Sequence, residues 1–178
     1  MNLTLKANNL MSNPKVQFAI EKALGKERCR EYRFYGDELW NLQCEEISRF
    51  PGINTLEKLF AVLECCWCRE TAYPSCQSNW VPNDPSYGQC AVTAMIVHDL
   101  FGGTIHKIRV EGGGTHYFNK IRGEYVDLTR EQFDLYDIPV EYEPNVEVPR
   151  EYCGKNKDTN ERYRLLQEKI REFLEEKE

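Results

Sequence analysis

Apolar residues fall at helical spacing in five stretches of the chain. The first follows Asn13-Pro14, with Val16, Ala19, Ile20 and Ala23 on one face and Gly25 as its stop. The second runs from Glu38 to Phe50 on Leu39, Trp40, Leu42, Cys44 and Ile47, and ends at Pro51-Gly52. The third, Thr55 to Cys68, carries Leu56, Leu59, Phe60, Leu63 and Trp67 as one stripe, with Asn54 or Thr55 as its N-cap. The fourth begins directly at Gln89-Cys90, continues through Ala91, Ala94, Met95, Val97, Leu100 and Phe101, and stops at Gly102-Gly103. The fifth, Asn160 to Lys177, presents Tyr163, Leu166, Ile170 and Phe173.

Other stretches read differently. Thr104–Val110, Thr115–Ile121 and Glu124–Leu128 are strand-like; Gly112-Gly113-Gly114 joins the first two and Arg122-Gly123 makes a tight hairpin between the others. Thr129 to Phe133 starts a short helix, and Pro139, Pro144 and Pro149 break the next stretch into irregular or edge-like structure. Between Thr71 and Gly88 no period survives, because Pro, Asn, Asp and Gly crowd the segment. A loop of that length inside a compact domain usually serves function. Helices, loop, cysteine-bearing helix and antiparallel sheet make an α+β protein. Residues 1–54 read as an N-terminal helical extension and 55–178 as the core domain, the two packed as one unit.

Composition narrows the setting. The 178 residues carry a net charge of −6, which opposes non-specific binding to nucleic acid. No apolar run approaches the roughly 20 residues of a membrane span, and Met1 to Ser12 is no signal peptide, so a cytoplasmic address is expected. In that compartment the eight cysteines are expected as reduced thiols.

One constellation of residues carries chemistry. Cys90 stands at a loop-to-helix junction, where free N–H groups and the helix dipole favour a thiolate and can stabilise an oxyanion. His116, on a strand behind the glycine triplet, is the candidate base. Asp127, on the next strand of the hairpin, is offset from His116 yet a diagonal neighbour, and can orient the imidazole. Asn119 is a second candidate for the polar partner. His98 lies too far along its helix to reach the thiol, and His106 reads as an edge or surface residue. Cys65, Cys66, Cys68 and Cys76 form the rival set. Three of them fall on a helix, where adjacent side chains diverge by about 100°, which opposes zinc; a Cys68–Cys76 disulfide is the other option. The glycine triplet joins two strands, so it is a flexible loop beside His116 and not a phosphate loop.

Tyr87-Gly88-Gln89-Cys90 heading an apolar helix, His116-Tyr117-Phe118-Asn119 on a strand and Asp127 followed by Thr129 resemble the core of transglutaminase-like, papain-like cysteine enzymes. Trp80, Pro85, Gly88 through Ala94, Phe101-Gly102-Gly103, His116-Tyr117, Asp127-Leu128-Thr129 and Gln132-Phe133 resemble the YunG-like family of uncharacterised bacterial proteins, over roughly Thr71 to the C-terminus. The resemblance implies a papain-like fold with Cys90 as nucleophile, His116 as base and Asp127 as orienting carboxylate. Asp84 stands where the papain pattern has its oxyanion-hole Gln; Gln89, Gln77 or Trp80 are the substitutes. The expected function is thiol-dependent hydrolysis, deamidation or acyl transfer on a protein or peptide amide, with no cofactor, metal, nucleic acid or membrane. The alternatives are a catalytically silent binding module and, third, a zinc-stabilised interaction domain.

Overall fold

Asn13 starts the first helix by accepting the Lys15 N–H at 2.9 Å, and Pro14 occupies a position whose N–H needs no partner. The computed structural model describes residues 13–44, 49–112 and 114–175. In it α1 (Pro14–Gly25) buries Val16, Ala19 and Ala23 against α2 (Leu56–Cys66). Thr55, and not Asn54, caps α2, through its hydroxyl and the Lys58 N–H.

The helix expected over Glu38–Phe50 is corrected. Its described part holds one 3₁₀ turn, Asp37–Leu39, followed by a bridge between Gln43 and Thr55. The Cys44 N–H bonds to the Asn54 carbonyl, so this backbone pairs sideways with the chain ahead of α2 and cannot close a helical ladder. Trp40 is left exposed while Leu42 is buried. Ile47 lies outside the described residues.

α3 (Cys90–Phe101) lies across a four-stranded antiparallel sheet. The strands are β1 (Thr104–Val110), β2 (Gly114–Ile121), β3 (Glu124–Val126) and β4 (Val146–Val148), in the order β3-β2-β1-β4. Arg122 and Gly123 both have positive φ, as a two-residue hairpin turn requires. β4 lies between Pro144 and Pro149 on the outside of β1, where lost N–H donors cost least. The third strand is shorter than the sequence suggests, and its end matters for the site.

Alternation along the strands gives the sheet two faces. Ile105 and Ile121 join the main core with α2, α3 and α6 (Lys157–Glu175). Ile108, Val110 and Phe118 point the other way, into a second cluster with Phe133 and Tyr142. Phe133 belongs to α4 (Glu131–Asp134), slightly later than the expected Thr129 start. α5 (Arg150–Gly154) leads into α6, which begins earlier than expected because the Asn156 side chain accepts the Asp158 N–H at 2.9 Å.

Phe34 and Phe50 share the main core with Val92 and Leu166, so the N-terminal residues contribute to the same hydrophobic interior as the cysteine-bearing helix. Each such fully buried side chain stabilises the fold by about 1.5–3 kcal/mol. Among the described residues no helix is long and apolar enough to cross a membrane.

Candidate active site

The long loop ahead of Cys90 is irregular apart from two 3₁₀ turns, and its own polar side chains fasten it. Trp80 Nε1 donates to the Pro85 carbonyl at 3.1 Å, and Gln77 Nε2 to the Ala72 carbonyl at 3.1 Å. Gln89 Nε2 donates to the Cys68 carbonyl at 2.9 Å. The three expected oxyanion donors therefore act as struts of the loop. Asp84 is buried and neither of its oxygens meets a donor at bonding geometry. Burial, only partly opposed by the nearby Tyr136 hydroxyl, pushes its carboxyl up to about 6. It does not line the cleft onto which Cys90 opens.

Gly88 fixes the turn into α3. Its φ is +73°, and a β-carbon there would lie 2.7 Å from Cys76 Cβ. Its carbonyl accepts the Tyr73 N–H at 2.8 Å, and its N–H donates to Gln132 Oε1 at 3.2 Å. Cys90 is then the first residue of α3, and the Gln89 side chain makes no capping bond. The first-turn N–H groups thus have no side-chain cap, which leaves donors facing the thiol end of the helix.

β3 pairs only with Asn119–Ile121 of β2, so the earlier residues of β2 have no β3 residue beside them in the ladder. Continuing that register by one residue would set Asp127 opposite Phe118, on the face that also carries His116. There His116 Nε2 meets Asp127 Oδ2 at 2.6 Å. Asp127 Oδ2 also accepts the Tyr142 hydroxyl at 2.9 Å, while Oδ1 accepts both the N–H and the hydroxyl of Thr129, each at 2.9 Å. Four donors hold this carboxylate, and its backbone bridges to Tyr35 in both directions.

With Nε2 taken, Nδ1 is the imidazole nitrogen left for Cys90, and it makes no hydrogen bond at bonding geometry in this structure. Burial pushes the Cys90 thiol up, but the His116 imidazole and the Tyr117 N–H outweigh it and hold the thiol below its ordinary value. Burial pushes His116 down, and the Asp127 carboxylate with the Cys90 sulfur raises it well above the usual imidazole range. Burial likewise opposes the Asp127 charge, which His116, Thr129 and Tyr142 restore, lowering its pKa. These shifts favour a thiolate–imidazolium–carboxylate arrangement.

Cys90 is partly exposed and opens, with His116, Gln132 and Phe133, onto a cleft of about 720 Å³. The far wall comes from the α5–α6 junction. Gly114, from the glycine triplet, also lines it, while Gly113 lies outside the described residues.

The other expected residues lie elsewhere. Asn119 faces α3, on the opposite side of β2 from His116, and donates to the Ala94 carbonyl at 3.0 Å, so it does not meet the imidazole. His106 is buried and not at the surface, with both ring nitrogens bonded, to Thr104 at 2.8 Å and Asn145 at 2.7 Å. None of the eight cysteines forms a disulfide, and the described residues hold no group of three or more metal-ligating side chains. Tyr142 carries no sequence signal, because it lies in the proline-broken stretch, where no period marks it. The Asp127-x-Thr129 spacing, which suits a local side-chain turn, is the legible part of the carboxylate's support.

The folded chain is therefore an α+β protein with cysteine, histidine and aspartate gathered at a helix–sheet junction. The family described as YunG protein matches residues 55–175, and the chain belongs to it. A Bacillus subtilis (strain 168) relative, described as uncharacterized protein YunG, is 38% identical over 114 residues, which is 64% of this chain and 89% of the relative. The family match starts at Thr55, earlier than the motifs around Cys90 indicate. No solved structure matches the chain.

Proposed function

We propose that this protein is a thiol-dependent amide hydrolase, deamidase or acyltransferase on a papain-like, transglutaminase-like core. Cys90 is the nucleophile, His116 the proton carrier and Asp127 the group that orients it. The Cys90 thiolate attacks the amide carbonyl carbon, forming a C–S bond as the carbonyl electron pair moves onto oxygen. Backbone N–H groups of the uncapped α3 terminus hold that oxyanion. Collapse breaks the C–N bond, and the leaving amine or ammonia takes the proton from His116. Water or an amine then attacks the thioester, gives its proton to His116 and releases the Cys90 thiolate. These steps use no cofactor or metal. The substrate is a protein or peptide amide in the cytoplasm.

One observation carries the reading: a buried imidazole bonded to Asp127 at 2.6 Å, with its second nitrogen left for a cysteine that opens onto a cleft. The test is the pH dependence of Cys90 alkylation by iodoacetamide, in the native protein and in His116→Gln. That substitution keeps a donor for Asp127 but cannot carry the proton. A thiol pKa well below the unperturbed value of about 8.5, returning toward it in the variant, is the expected result. An ordinary pKa that the substitution leaves alone would sink the enzyme.

A second reading is a binding module that keeps the core without turnover. The commitment of Gln77, Trp80 and Gln89 to the loop favours it, since the backbone alone is left to form an oxyanion hole. Slow, uniform labelling of all thiols is its signature.

A further inference from the structure

The chain is acidic overall, yet the lining of the Cys90 cleft is not. Its charged side chains are Lys155 and Arg162, and no Asp or Glu lines it among the described residues. Arg162 is buried and committed: it bonds Asp158, the Thr71 carbonyl and the Thr159 hydroxyl. Asp158 thereby offsets part of its charge. Lys155 is exposed and makes no ion pair among the described residues. It stands just before α6, whose first turn is capped by Asn156 and whose dipole adds positive potential at the same wall, in part offset by Asp158 of that turn. Across the cleft the imidazole of His116 presents an unpartnered buried nitrogen, and α3 presents its own uncapped N-terminus.

Asp127 offsets the imidazole's charge, so Lys155 and the helix N-termini are what make the cleft wall electropositive. A cleft lined by one sign of charge over low-dielectric walls concentrates ligands of the other sign. A cationic acyl donor would meet Lys155 with no carboxylate in the lining to offset it.

We infer that the cleft selects acidic acyl donors: peptides or amino-acid amides bearing a carboxylate beside the scissile amide, with Lys155 as the specificity-determining cation. The inference rests on Cys90 being the nucleophile in that cleft. The carboxylate sits at the Lys155 wall while the amide carbonyl meets Cys90. Arg162 shapes that wall and holds the loop at Thr71.

Two methanethiosulfonate reagents of similar size test this, one ending in a sulfonate and one in trimethylammonium. Each rate at Cys90 is read by mass spectrometry of the Cys90 peptide and divided by that reagent's rate with 2-mercaptoethanol. The sulfonate is expected to gain by roughly tenfold over the ammonium, and Lys155→Glu to remove about fivefold of that gain. Raising the salt concentration lowers the preference in the native protein more than in the variant. A ratio at or below that of the free thiol, or one that Lys155→Glu leaves unchanged, overturns the inference. Iodoacetamide, which is neutral, reports separately on the nucleophile. Fast neutral labelling without anion preference would leave the nucleophile standing and remove the selectivity. Anion preference at a thiol of ordinary reactivity would do the reverse and make the cleft a binding site for acidic ligands.

Discussion

Two buried histidines share one face of the sheet, His106 across from Phe118 on β1 and His116 two residues before it on β2, and both rings stack on it. His106 spends both nitrogens on neutral partners, Thr104 and Asn145. His116 spends one on a carboxylate held by three further hydrogen bonds and keeps the other for a thiol. Burial alone does not separate them; what each nitrogen meets does. A neutral network that satisfies both nitrogens fixes a ring in place, whereas a charged partner on one side prepares the other side to hold a proton.

The sharpest way to break this contrast is to substitute each histidine. His116→Gln should lower the rate of Cys90 alkylation at pH 6 by about 100-fold, because the thiolate then forms only near its ordinary pKa. His106→Gln should leave that rate within about twofold. Equal losses would abolish the distinction between the two rings. Asp127→Asn comes next. It removes the charge that raises His116, so the imidazolium loses its proton at lower pH and the window in which thiolate and imidazolium coexist narrows from its alkaline side. The rate at pH 6 should fall about tenfold, and the alkaline limb of a pH–rate profile should move down. Tyr142→Phe, which removes one of the four donors on Asp127, should cost only about two- to threefold in the same assay.

His106 is tested better by stability. His106→Ala leaves Thr104 and Asn145 without their buried partner and should cost about 1–3 kcal/mol in urea unfolding. A last test concerns a second buried aspartate, Asp84. Asp84 has no donor at bonding geometry where Asp127 has four, and its folded pKa is raised to about 6. The folded state keeps a proton that the unfolded chain has lost, so stability falls as pH rises from about 4 to about 6. Asp84→Asn should remove that decline, gaining about 1 kcal/mol at pH 7.5 and nothing below pH 4, in thermal melts at both values.

The long helices were legible from apolar spacing: α1 and α2 with a capping residue read as well, α3 and α6 without one, so that the start of α6 was placed late. The stretch from Glu38 to Phe50 was not, because its apolar residues lie at near-helical spacing while the backbone of Gln43 and Cys44 pairs instead with residues ahead of α2. Local periodicity cannot register a competing partner elsewhere in the chain. The His116 and Asp127 pairing could be read because a two-residue hairpin sets the register. Gln89, Gln77, Trp80 and Asn119 had the right chemistry, but which carbonyl each amide or indole reaches depends on tertiary packing. Tyr142 arrives from a segment without period, and only the folded chain brings it to Asp127.

The bridge between Tyr35 and Asp127 has a kinetic consequence. The pairing of His116 with Asp127 closes a short hairpin, whereas the bridge closes a far longer stretch of chain at a greater entropic cost. Contacts of long sequence separation are slow to form. During folding the imidazole and carboxylate are therefore expected to find each other first, and the strand end that carries the carboxylate to be anchored afterwards. Full reactivity of Cys90 would then report the last stage of folding and not the first appearance of the sheet.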